Sequence, residues 1–344
     1  MLRAYKITYH SYTTNVRSYT LFGLFCWAYL LYKGENKLIN FLTEFTQNPL
    51  FIISSPFPII NNILFLPKPV EFKLTNTTNT TNINYKIDQK KSKKIELISI
   101  NLFLKTIKPN PKFEYLIYNN LLITPEEQKI IKDYLQDYLS NKNYKENIII
   151  ARNLINRINL TSENLYFEEG YLKFYDEYFL VYFYDKNFIN EFEHIMFNIA
   201  SFLGLGKNKS IGWGKISITP LDPTASNKIN LFNDLIKNFQ NSKTFLTLSP
   251  IILNPKSINY IDFDNTFYEL ETYKSYTESI YNQPIMKNKV IYLKEGSIIT
   301  TQNNYFQNYL NNNNKEFIGQ LKEVGNNIKQ YGLEFPIPFN FLFN

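Results

Sequence analysis

Four of the chain's eleven glycines, Gly204, Gly206, Gly212 and Gly214, fall within positions 204–214, interleaved with Lys207, Lys209, Ser210 and Trp213 and followed by Lys215. Alternating glycines admit positive φ and remove the side chains that would hold a polyanion at a distance, while the lysines supply positive charge. The chemistry this combination suits is anion binding. Upstream, Phe188, Phe192, Ile195, Ile199 and Phe202 recur at steps of four and three, which predicts an amphipathic helix. Downstream, Gly214–Thr219 alternates apolar and polar residues, which predicts a half-buried strand. The order is therefore helix, loop, strand, whereas a Rossmann or P-loop nucleotide site needs strand, loop, helix. Here the loop meets the negative end of a helix, so the expected anion ligands are loop N–H groups and the lysines. That order disfavours a mononucleotide enzyme.

Arginine is scarce, with Arg3, Arg17, Arg152 and Arg157 the four among 37 basic residues. Two of them share the segment 151–157, and arginine offers a bidentate fork for phosphate and a flat face for stacking. Trp213 beside Lys207, Lys209 and Lys215 joins an aromatic face to cations, the pairing that holds single-stranded RNA. The same Trp213 fits equally well as a core residue opening a strand. The two histidines are His10 and His194. His10 follows the first expected strand, where it could serve as the base of a metal-independent ribonuclease with Arg17 or Lys6 as the cation. No supporting acid–base constellation surrounds it, so the protein is expected not to be an enzyme. The sequence has no Cys/His cluster, His-x-x-x-His, Gly-x-Ser-x-Gly or Walker motif, so neither a metal nor a cofactor is expected.

The 344 residues suffice for two modules with real cores, and 44% hydrophobic against 19% charged residues describes a folded chain. A net charge of +7 favours polyanionic partners, although an AT-rich coding sequence would also enrich lysine. Cys26 is the single cysteine and fits a reducing cytoplasm. The apolar run Thr20–Tyr32 is shorter than the ~20 residues that cross a bilayer, so no membrane span is expected. It reads instead as a helix at 18–32, capped by Ser18, stopped near Gly34, and apolar enough all round to bury Trp27 in the core. Leu2–Tyr9 reads as a first strand and 50–57 as a second. With a later strand–helix–strand over 178–219, this is the ferredoxin-like pattern. A helix is expected over Thr124–Leu139, opened by Thr-Pro-Glu-Glu. The Thr/Asn tract at 76–84 and the lysines at 90–94 read as an exposed insertion. Strands at Phe245–Ser249 and 333–339 bound a second module.

The helix–glycine loop–strand order resembles the RAMP superfamily of CRISPR-associated RNA-binding proteins. Ser18-Tyr-Thr-Leu is similar to the opening of that superfamily's first helix, with Tyr19 where it usually has Asp. Phe51–Pro58 followed by Leu66–Pro69 is similar to its second strand and exit. Segment 151–174 resembles the stretch that carries an Ile-Asp-Arg motif, with Asn156 in place of the Asp. Val290–Ser297 and Gln330–Pro338 resemble C-terminal signatures of the subunit-four family of the type III-A Csm effector complex. The resemblance implies an α+β fold of tandem ferredoxin-like (RRM-like) modules. Module one would span 1–222, with insertions at 70–100 and 140–175, and a smaller or degraded module would span 223–344. It implies a non-catalytic subunit that grips the 5′ handle of the crRNA, caps the backbone RAMP filament and docks the large polymerase-like subunit. The equivalent subunit of the sister Cmr complex is the alternative within the superfamily. The RNA-binding residues it implies are Arg17, Ser18, Thr20, Arg152, Arg157 and the loop residues Gly204, Gly206, Lys207, Lys209, Ser210, Gly212, Trp213, Gly214 and Lys215. Arg157 would project from a β-hairpin.

Overall fold

The computed structural model describes residues 1–71, 94–107, 114–138, 145–155, 158–159, 161–221, 230, 232–234, 242–277, 285–302, 317–325 and 328–339. Arg157 and the Thr/Asn and lysine tracts at 76–84 and 90–93 lie outside these residues.

The first strand, β1 (Leu2–Tyr9), buries Leu2, Tyr5 and Ile7 and leads into helix α1 (Ser18–Lys33). Helix α2 (Glu35–Gln47) then folds back, burying Phe41 and Phe45. The expected strand at 50–57 is divided into β2 (Phe51–Ile53) and β3 (Phe57–Ile60). The break at Ser54–Ser55 has a physical cause: Ser54 Oγ accepts the Leu180 N–H (2.9 Å) and Ser55 Oγ donates to Glu295 Oε1 (2.6 Å). β3 turns into β4 (Ile63–Pro67) through Asn61 and Asn62, both at positive φ. Two successive left-handed residues suit the right-handed twist of a hairpin. Next come β5 (Leu97–Ser99), the short helix Ile100–Thr106, and the hairpin of β6 (Leu116–Tyr118) and β7 (Leu121–Ile123). The helix expected over 124–139 spans Pro125–Tyr138, and Glu127 accepts the Thr124 N–H (2.9 Å). A long hairpin, β8 (Lys145–Ile155) and β9 (Ser162–Lys173), precedes the central strand β10 (Asp176–Phe183). The stretch 189–203 is helical throughout but widens to a π-helix over Ile195–Ala200, and β11 (Ile216–Pro220) closes this half.

Apart from the β8–β9 hairpin, which forms a two-stranded sheet of its own, these strands form a nine-stranded sheet in the order β11-β1-β10-β3-β4-β5-β7-β6, with β2 also on β10. The remaining described strands are β12 (Thr244–Thr247), β13 (Leu270–Tyr273), β14 (Tyr276–Thr277), β15 (Ile285–Met286), β16 (Val290–Leu293), β17 (Ile298–Thr300), β18 (Lys322–Glu323), β19 (Lys329–Gln330) and β20 (Pro336–Pro338). β17, β12 and β20 form a separate sheet.

Two expectations for α1 are corrected. Its N-cap is Arg17, whose N–H donates to Thr20 Oγ1 (3.4 Å); Ser18 is buried, its own N–H donating to Ser55 Oγ (3.0 Å). Nor is the helix buried all round. Leu21, Phe22, Leu24, Phe25 and Ala28 face the core, while Leu31 and Tyr32 are exposed and Trp27 is half-buried. The two halves share one core: Phe22 packs on Tyr331 (ring centroids 4.8 Å apart), and the Ile53 N–H donates to the Tyr331 hydroxyl (2.9 Å). Among the described residues no helix is long and apolar enough to cross a membrane.

Candidate nucleic-acid interface

The glycine loop is built by close backbone approach. Gly204 (φ +74°) ends the helix. Leu205 N–H donates to Gly214 O (2.8 Å), and an added Cβ at Gly214 (φ +73°) would lie 2.1 Å from Leu205 O. A Cβ at Gly206 would lie 2.5 Å from Thr14 Oγ1. Only glycine permits these contacts. Gly212, at φ +90°, has open space around it instead.

The expectation that loop amides bind the anion is corrected for residues 211–215. Ile211 and Trp213 N–H donate to Asn208 O (3.1 and 3.2 Å), Gly212 N–H to Lys209 O (3.0 Å), Gly214 N–H to Tyr12 O (2.7 Å) and Lys215 N–H to Ser11 Oγ (2.9 Å). This hydrogen bonding makes the loop a rigid mount for its side chains. Lys207, Ser210 and Lys215 are exposed, and Lys209 is half-buried.

Trp213 takes the core position rather than the stacking one. It is 6% exposed, and its ring occupies the space a Cβ at Gly170 would need, 2.6 Å away. Tyr12 packs beside it at 5.9 Å. The loop is also tied to the hairpin: Glu168 of β9 accepts from Arg152 Nε (3.0 Å) and from Asn208 Nδ2 (2.9 Å).

Between the loop, α1 and the second half of the chain lies a cleft of about 740 Å³. Of the sequence-derived candidates, Arg17, Thr20, Gly204, Gly206, Lys207 and Lys209 line it. Ser18 is buried away from it, and Arg152 is held on the hairpin by Glu168. The second half contributes Glu271, Tyr273, Tyr276 and Lys287, none of which sequence patterning singled out. Arg17 is not a free cation here. Its Nη1 pairs with Glu271 Oε2 and lies 3.5 Å from Glu295 Oε2. Burial alone would lower its pKa, but Glu295, Tyr19 and Glu271 together outweigh that and raise it above the ordinary arginine value. Tyr19 stacks on Tyr292 (5.3 Å) and packs on Tyr273 (4.6 Å), completing this wall.

His10 is exposed, with Nε2 3.1 Å from Ser217 Oγ. The cations proposed to assist it are paired elsewhere: Lys6 with Asp176 (3.5 Å) and Arg17 with the two glutamates. His194 is exposed on its helix, 3.1 Å from Asn198 Nδ2. Among the described residues no group of three His, Cys, Asp or Glu side chains could hold a metal.

No protein-family model matches the chain, and no curated protein matches its sequence. Solved structures do match it. A chain of the Csm3–Csm4 subcomplex of the type III-A CRISPR-Cas interference complex is 20% identical, with a TM-score of 0.67 over 98% of this chain and 99% of that one. Chains of the Csm1–Csm4 cassette, in complex with AMPPNP and with pppApA, are each 14% identical, with TM-scores of 0.51 and 0.52 over 100% of this chain and 99% of theirs. Csm4 is named in each of these assemblies, and this chain shares the α+β fold of the matched chains.

Proposed function

We propose that the protein is the non-catalytic RNA-binding subunit of a cytoplasmic type III-A CRISPR effector complex, holding the 5′ handle of the crRNA. Lys207 and Lys209, carried by a rigid glycine loop at a cleft between the two halves, are the observation that carries this reading. The loop lysines act as point charges on the backbone of a single strand, and Tyr171, Tyr273 and Tyr276 on the same cleft offer ring faces to its bases. The strand order β11-β1-β10-β3, with helices between β1 and β2 and between β10 and β11, supports a ferredoxin-like first module. The second module is the smaller sheet and ribbons after residue 222. The assemblies of Csm4 with Csm3 and with Csm1 support a place between a backbone RAMP subunit and a large polymerase-like subunit. That part rests on likeness of fold.

The test uses the full chain with labelled handle RNA and scrambled RNA over a salt series, followed by incubation of both with and without Mg²⁺. Tight, salt-dependent binding with intact RNA is expected. Absence of binding at low salt, or site-specific cleavage abolished by His10→Ala, would sink the proposal.

A further inference from the structure

Lys287, a half-buried cation on the cleft, has no carboxylate partner among the described residues. Lys287 follows β15, and its backbone is fixed from two sides: its N–H donates to Ser275 O (2.8 Å), and the Asn288 N–H donates to Val324 O (2.9 Å). Its side chain is half-buried, and Nζ donates to Gln330 Oε1 (3.2 Å). Gln330 is itself held, because its Nε2 donates to the Tyr292 hydroxyl (2.8 Å), which donates to Tyr331 O (3.0 Å). The single Tyr292 proton is committed to that carbonyl, so the hydroxyl can only accept from Gln330, and the amide oxygen must face Lys287. Three hydrogen bonds in series therefore aim this ammonium.

No described carboxylate pairs with Lys287: of the two acids lining the cleft, Glu271 on β13 is engaged by Arg17, and Glu169 on β9 is exposed and makes no ion pair with Lys287. The titratable group felt by Lys287 is Cys26, whose thiol burial pushes up to about 12, so that it stays neutral. Burial accordingly pulls Lys287 below the ordinary lysine range. A half-buried ammonium with one neutral acceptor among the described residues is stabilised by an anion arriving from the cleft. The cleft volume of about 740 Å³ is far larger than a lone inorganic anion needs, and Trp27 and Tyr276 line it with aromatic surface.

We infer that Lys287 is a phosphate ligand of this cleft, receiving one phosphodiester of a single-stranded RNA that enters between the glycine loop and α1. This rests on the RNA-binding reading above and adds to it a phosphate ligand from the second half of the chain, far in sequence from the glycine loop. Lys287→Met keeps the aliphatic stem and removes the charge. The full chain and this variant are titrated with a fluorescently labelled single-stranded RNA over a salt series, and both are melted. The expected affinity loss is about tenfold, the effect of one charge-assisted hydrogen bond. The salt slope should fall by about 0.7, the value of one neutralised single-strand phosphate. The melting temperature should hold or rise, since an uncompensated buried charge has been removed. Lys287→Arg should restore the slope. Unchanged affinity and slope would overturn the inference, as would weaker binding that merely tracks a lower melting temperature with the slope intact. If the unaltered chain binds no RNA, the parent reading falls; if it binds and the variant matches it, only the role of Lys287 falls.

Discussion

The two walls of the cleft carry charge in opposite ways. On the α1 wall, Arg17 lies between Glu271 and Glu295, so its positive charge is answered within the chain. On the glycine-loop wall, Lys207 is exposed and makes no ion pair with any described residue. The first wall is a joint between the halves; the second is open to a partner. Arginine's planar fork suits a site where two carboxylates converge, whereas a lysine on a flexible stem suits a mobile backbone phosphate.

The largest effect should come from breaking the joint. Arg17→Ala leaves two partly buried carboxylates without their cation and should destabilise the protein by about 3 kcal/mol, the scale for removing one partner of a buried pair. Urea unfolding checks this, and an unchanged midpoint would show that the α1 wall is no joint. On the loop wall, Gly214→Ala should cost about 2–3 kcal/mol, combining the left-handed φ with the clash against Leu205 O. Gly212→Ala should cost only ~1 kcal/mol, since there the strain lies in φ alone. The reverse order in thermal melts would mean the loop is not held by the 205–214 approach.

Replacing the exposed Lys207 with glutamine should shift stability by less than ~0.5 kcal/mol, as ordinary surface changes do, and the binding test replaces Lys207 and Lys209 together. The salt slope of RNA binding should fall by about 0.7 for each phosphate that is no longer neutralised. Handle and scrambled RNA should weaken alike; a change in their ratio would make this wall a reader of bases. Glu168→Gln weakens a partly exposed pair with Arg152 by less than ~1 kcal/mol. Its readout is faster amide exchange across the β8–β9 hairpin, and unchanged exchange would mean the hairpin is not held through Glu168.

Local patterning disclosed the glycine loop, its helix and its strand, because each rests on spacing within a few residues. The helices at 18–33 and 125–138 were legible for the same reason. Long-range pairs left no such trace. Arg17 and Glu271 are 254 positions apart, and nothing near either one announces the other. Trp213 could not be placed without knowing that Gly170 lies under its ring. The strand at 50–57 read as continuous because the break at Ser54–Ser55 depends on Leu180 and Glu295. Lys287 gave no signal among so many lysines, since what sets it apart is the Gln330–Tyr292 chain behind it.

The Ile53–Tyr331 hydrogen bond, spanning 278 positions, has a consequence for synthesis. At ~5–20 residues per second, the ribosome needs roughly 15–55 s to deliver Tyr331 after Ile53. During that interval the nascent first half displays the Phe22 surface that Tyr331 will cover. Folding of this half can be completed only after nearly all of the second has emerged, which makes the growing polypeptide a natural client for chaperones.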